Sequence, residues 1–301
     1  MSDIATNKRR QPAPVEPEDH QVVSPWREAF KVFRRNKLAM LGALIILAFI
    51  VLAIAASWIA PKGYDVQILA DRLQAPSAEH WFGTDDFGRD IFERMIYGAR
   101  ISLLVGFLSV IGSVIIGICL GILAGYYGKW VDMVISRIFD IMLAFPSILL
   151  AIAIVTILGP SLMNALIAIA IVNVPNFGRL IRSKVLSLKE EEFITAARSV
   201  GMKDTRILFH HILPNSLAPI IVQGTLSVAT AILDAAALGF LGLGAQPPLP
   251  EWGSMLSSSQ DYLTDAPWTM IFPGVAIMMT VLGFNLMGDG LRDALDPKMK
   301  K

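Results

Sequence analysis

The chain of 301 residues is 54% hydrophobic and 17% charged, with positive mean hydropathy. That balance lies outside the range of ordinary soluble domains. The formal net charge of +1 gives no sign of nucleic-acid binding, and the single Cys119, set in an apolar run, supplies no disulfide framework and reads as a small buried hydrophobe. The few charges cluster between apolar runs, which is the distribution of a polytopic membrane protein.

Residues 1–21 are polar, carry Pro12, Pro14 and Pro17, and read as disordered. Trp26, Phe30 and Phe33 then alternate with Arg27, Lys31, Arg34 and Arg35 at helical spacing, as in a short helix lying on a membrane surface. Together residues 1–37 read as a cytoplasmic tail with an interfacial helix. Residues 38–60 contain no charge and are long enough to cross roughly 30 Å of hydrocarbon. Residues 61–100 form an acidic external loop with Asp65, Asp71, Glu79, Asp85, Asp86, Asp90 and Glu93. The spacing of a calcium loop is absent there, and Gly83, Gly88 and Gly98 read as turn residues.

In the second span, residues 101–125, Ser102, Gly106, Ser109, Ser113 and Gly117 share one face, and Gly117, Gly121 and Gly125 extend it as a small-xxx-small ladder. Such faces let helix backbones approach closely. The third span covers 138–158, with Arg137 and Asp140 at its start and a kink expected at Pro146. A short fourth span covers 161–177, interrupted by Asn173 and Pro175. In the fifth, residues 217–238, Gln223, Ser227, Thr230 and Asp234 fall at intervals of four, three and four and so share one helix face. A polar stripe in a membrane helix faces protein or water. It serves either as a hydrogen-bonded helix seam or as a wall of a translocation path. Residues 268–287 form the sixth span, ahead of a basic tail at 292–301.

Between the fourth and fifth spans, residues 190–214 form a polar excursion. Phe193, Ile194, Ala196, Ala197 and Val200 suit a short helix, Gly201 a left-handed helix end, and Asp204 the N-cap of a second helix, with Pro214 closing the unit. Thr195-Ala196-Ala197, Gly201 and Leu213-Pro214 resemble the EAA loop of ABC importer permeases, E-A-A-x3-G-x9-I-x-L-P. Thr195 stands in place of the Glu and His211 in place of the Ile. The stretch HWFGTDDFGRDIFERMIYGARISL is similar to the dipeptide and oligopeptide branch of those permeases, as are LGFLGLGAQPPLPEWGSML and GDGLRDALDPK. The resemblance implies a type I ABC importer transmembrane fold. It also implies an ATPase-coupling role for Thr195, Ala196, Ala197, Gly201, Asp204, Leu213 and Pro214. Its implied partners are a second, B-type permease, two ATP-binding subunits carrying ATP and Mg, and an external peptide-binding protein. No cofactor is expected on this chain itself, and nickel chelates or other small solutes are alternative cargo.

Charge counting agrees with the motif. With both termini inside, the segments before residue 38, at 126–137, at 179–214 and in the tail hold eight, two, seven and four Lys or Arg, 21 of the 26. The positive-inside rule therefore places 190–214 in the cytoplasm. No phosphate loop, nucleophile elbow or metal-binding His pair occurs, and the adjacent His210 and His211 point about 100° apart on a helix. Asp140 reads as a paired structural carboxylate rather than a proton relay. The expectation is an all-α membrane protein of six transmembrane helices in a bacterial cytoplasmic membrane. It is a non-enzymatic permease subunit moving di- or oligopeptides by alternating access. The competing readings are a stand-alone ion-coupled carrier using Asp234, or a membrane-embedded hydrolase.

Overall fold

A computed structural model describes residues 25–295, all helical apart from loops and a single bridge between Thr84 and Asp90. The expected disorder of residues 1–21, and the tail from residue 296 on, lie outside the described residues. The helices are α1 (Pro25–Arg35), α2 (Lys37–Ile54), α3 (Ala56–Ile59), α4 (Ile91–Tyr127), α5 (Lys129–Ala144), α6 (Ser147–Leu158), α7 (Leu162–Leu188), α8 (Glu192–Ser199), α9 (Asp204–Ile207), α10 (Leu213–Phe240), α11 (Trp252–Ser258) and α12 (Trp268–Leu295). A single π turn, Leu208–Ile212, joins α9 to α10. Among the described residues five helical stretches are long and apolar enough to span a membrane, and the bent pair α5–α6 makes a sixth if counted as one span.

Several expectations needed adjustment. The second span begins at Ile91, because the Asp90 side chain accepts the Glu93 N–H and caps the helix ten residues early. Gly98 is therefore helical rather than a turn residue. It is needed because a Cβ there would stand 2.4 Å from the Pro250 carbonyl oxygen and 2.7 Å from the Trp252 ring. Gly83 and Gly88 do adopt positive φ. At Pro146 the chain does not kink but turns by 97° between α5 and α6. The fourth span continues through Pro175 to Leu188, its C-terminal half carrying Arg179, Arg182 and Lys184. Cys119 is exposed on the outside of α4 rather than buried.

The α4–α7 contact is the most extensive in the fold. The small-residue face of α4 makes it: the Ser109 and Ser113 hydroxyls donate to Leu166 and Ala170 carbonyls at 3.2 and 2.9 Å. Further along, a Cβ on Gly121 would meet the Gly178 carbonyl oxygen at 2.6 Å, and one on Gly125 would meet the Val185 Cβ at 2.8 Å. These residues set backbone proximity, the close packing that lipid-embedded helices rely on. α10 packs on α4 and α12, and α12 on α2.

Two ion pairs fasten α5 to α7. Arg182 Nε and Nη2 donate to the two carboxylate oxygens of Asp132 at 2.5 and 2.7 Å, and Arg179 Nη2 donates to Asp140 Oδ1 at 2.5 Å. Asp140 is thus a paired carboxylate.

At the opposite end, loop 61–90 and α11 fold over α4. The His80 ring lies 2.8 Å from Asp90 Oδ2, and Asp85 accepts from Arg89 Nε at 2.7 Å, so these acids organise the loop. The Trp252 indole N–H donates to the Met95 carbonyl, and that of Trp268 to the Thr84 carbonyl. Glu251, 2% exposed, caps α11 by accepting the Gly253 and Ser254 N–H groups at 2.8 Å. Burial pushes its carboxyl above the usual range, partly offset by those N–H groups and the Ser102 hydroxyl.

Candidate functional site

Residues 190–214 build a knob on the ends of α4 and α7. Glu192 and Arg198 sit at the N- and C-terminal turns of α8, each complementing the helix dipole. Gly201 follows the end of α8 at φ +80°, as its position in the sequence suggested. The apolar residues of α8 do not share one role. Ile194 and Ala197 are buried with Ile207, Leu208 and Ile212 against Ile122, Ile181 and Val185. Phe193, Ala196, Val200 and Phe209 face outward, with Val200 81% exposed. One apolar face keys the knob to the spans and a second is presented to the surroundings.

Asp204 is the first residue of α9 rather than its cap; Lys203 holds the cap position without a side-chain bond. The Asp204 carboxylate is engaged elsewhere, accepting from the Tyr126 hydroxyl at 2.5 Å. The Arg198 guanidinium lies 5.5 Å from the centroid of the same Tyr126 ring. Both sides of the Gly201 turn are thereby tied to the end of α4. Nothing in the sequence pattern marked Tyr126, since a contact across 78 residues has no local signature. Thr195 and Ala196 are exposed on α8. Leu213 and Pro214 do not close the knob but form the first turn of α10, where a proline lacking its N–H fits. His211 Nε2 is buried without a hydrogen-bond partner among the described residues, in contact with Phe193 and His210.

The polar stripe of α10 lines a cavity of about 350 Å³. Gln223, Ser227, Thr230 and Asp234 all contribute, opposite Ser147 of α6 and Asn173 and Asn176 of α7. Within the wall, Gln223 donates to the Ser227 hydroxyl at 3.3 Å and Asn176 to the Asn173 side-chain oxygen at 3.4 Å. No hydrogen bond or ion pair engages the half-buried Asp234 carboxylate among the described residues. The hydrogen bonds of Gln223 and Thr230 stay within α10, and all four side chains line the cavity. Asn176 is a wall residue the sequence reading passed over, although its three-residue offset from Asn173 puts both on one helix face.

Residues 117–301 match the family model described as binding-protein-dependent transport system inner membrane component. Residues 24–76 match the N-terminal transmembrane domain of oligopeptide transport permease C. The chain belongs to this permease family. It is 70% identical, over 94% of both chains, to the dipeptide transport system permease protein DppC of Alkalihalophilus pseudofirmus. It is 48% identical to the glutathione transport system permease protein GsiD of Pectobacterium atrosepticum, over 94% of both, and 50% identical to that of Escherichia coli, over 93% of both.

Among solved structures, the inward-facing MetNI methionine ABC transporter matches with TM-score 0.55 at 20% identity, covering 68% of this chain and 97% of the other. An amino acid ABC transporter solved with histidines matches with TM-score 0.51 at 18% identity, covering 67% and 94%. Both likenesses establish the ABC importer transmembrane fold. The permease is thus a multi-pass inner membrane component of an ABC system whose ATPase is a separate subunit.

Proposed function

We propose that this permease imports di- or short oligopeptides as one of two membrane subunits, coupled to its ATPases through residues 190–214. The observation that carries the coupling role is the split knob: a base with Ile194, Ile207 and Ile212 fully buried against α4 and α7, beneath exposed Val200 and Phe209. Exposed apolar side chains gathered on a packed base suit contact with a partner protein.

In this reading Thr195, Ala196, Ala197, Gly201 and Asp204 form the docking unit, and Leu213 and Pro214 pass its movement into α10. ATP-driven closure of two ATPase subunits, which carry ATP and Mg, draws the knobs together and opens the cavity outward. Hydrolysis reverses the movement. The second membrane subunit is a B-type permease, and an external binding protein delivers cargo. The concentration of Lys and Arg on the knob side supports a cytoplasmic knob and cytoplasmic termini.

Peptide cargo is supported by the relatives, a dipeptide transport permease and a glutathione transport permease. It is also supported by the cavity wall, where Gln223, Ser227, Thr230 and Asp234 offer the donors and acceptors that a solvated backbone requires. Asp234 supplies negative charge for a cationic group of the peptide. The test is purification of the tagged chain from native membranes in mild detergent. Recovery with a second permease and ATP-binding subunits is expected; a folded chain recovered alone would return the stand-alone carrier to consideration.

A further inference from the structure

A second cavity, of about 590 Å³, lies at the knob end of the same path. Gln223 and Leu226 line both cavities, so the two meet there. Lys184 of α7 and Arg292 of α12 enter the second cavity from different helices, beside Asn215 of α10. Neither cation makes an ion pair with a described residue. Their neighbours on α7 behave differently: Arg179 and Arg182 are held by Asp140 and Asp132. Both Lys184 and Arg292 are exposed, so their charges stay solvated on the cavity wall, whereas Arg179 and Arg182 are held by carboxylates.

We infer that Lys184 and Arg292 form an inner site for the carboxylate of the imported peptide, resting on the assignment of the α10 stripe as the path. A guanidinium and an ammonium lining one space, neither in an ion pair among the described residues, are suited to a carboxylate. The polarity of the path then runs from an acidic outer site at Asp234 to a basic inner one. From Asp234 to Gln223 is 11 residues along α10, or about 16 Å at helical rise. An extended dipeptide spans only about 7 Å. A dipeptide therefore cannot occupy both sites at once, and for it they act in sequence: the ammonium group is held first, and the carboxylate draws the peptide toward the inner mouth.

The phosphate of an anionic lipid offers the same chemistry, so the test separates the two sources. The nucleotide-free complex of both permeases and the ATPases, in phosphatidylcholine nanodiscs without binding protein, is irradiated with alanyl-photoleucine, a dipeptide carrying a diazirine. Adducts are expected on inner-cavity residues such as Val222 and Leu295. Alanyl-alanine should protect about tenfold better than its C-terminal amide, and Lys184→Gln with Arg292→Gln should abolish that difference. The competitor comparison on the unaltered complex stands even if the double variant fails to assemble. Equal protection by acid and amide overturns the site, as does displacement of the adducts by phosphatidylglycerol. Adducts confined to the Asp234 cavity would remove the inner site and leave the path standing; adducts in neither cavity would remove both.

Discussion

The Tyr126 hydroxyl and the Asp204 carboxylate, 2.5 Å apart, join the end of span α4 to the knob that follows span α7. With the Arg198 guanidinium against the same ring, Tyr126 holds both helices flanking Gly201. Motion of the knob must therefore move α4 or break these contacts. The pair is exposed, so solvent reduces the strength of a charge-assisted bond to about 0.5–1 kcal/mol. Tyr126→Phe should keep the complex assembled and lower peptides imported per ATP two- to fivefold. Tyr126→Ala, which also removes the Arg198 contact, should lower the ratio further. An unchanged ratio in both would show that the knob drives the spans only through its buried base.

Gly201 has no heavy atom within 4 Å of a hypothetical Cβ, so space is not its constraint. Its φ of +80° is. An L-residue held there costs about 1–2 kcal/mol, and a β-branched one more. Gly201→Val should distort the turn and lose the ATPase subunits during co-purification while retaining the partner permease. Normal recovery of the ATPases would count against the turn geometry as the docking element.

Much of the architecture could be read from the sequence because membrane spans and small-residue faces are local patterns. The ladder Gly117, Gly121, Gly125 announced a packed helix, and the stripe Gln223 to Asp234 announced a shared face. What the face looked onto was not local. Its partners Ser147, Asn173 and Asn176 come from two other helices, and only the fold shows that they enclose space rather than a seam. The 97° turn exceeded an expected kink because Phe145, held extended ahead of the proline, ends α5, and Pro146 stands at the N-cap of α6 instead of inside one helix. Pro175 did the reverse, staying inside α7. Asp204 looked like a cap on local grounds, and lost that role to a hydroxyl 78 residues away.

Asp234 has no partner among the described residues and faces the outer cavity. Asp234→Asn keeps the shape and removes the charge. Uptake at saturating loaded binding protein should fall severalfold, with normal assembly. Uptake equal to that of the unaltered complex would sink the role assigned to this carboxylate.

The glycine ladder predicts a sharp contrast within one protein. A Cβ at position 121 would lie 2.6 Å from the Gly178 carbonyl oxygen, whereas nothing lies within 4 Å at Gly224. Gly121→Val should cost at least about 1–3 kcal/mol of overpacking and reduce folded protein in the membrane. Gly224→Ala should be neutral or slightly stabilising, by up to about 1 kcal/mol. Comparable losses in thermal midpoint for the two would contradict the packing assigned to α4 and α7.

If the exposed face of the knob meets an ATPase, a cross-link at Val200, its most exposed large apolar residue, should capture the contact. Val200→Cys is introduced after Cys119→Ser removes the native thiol, and the assembled complex is treated with a short bis-maleimide, with a cysteine supplied on the facing ATPase surface. The expected product is an adduct of this chain with an ATP-binding subunit, its yield changing between nucleotide-free and ATP-bound states. A complex that retains its ATPases yet gives no such adduct across a scan of facing ATPase positions would contradict it.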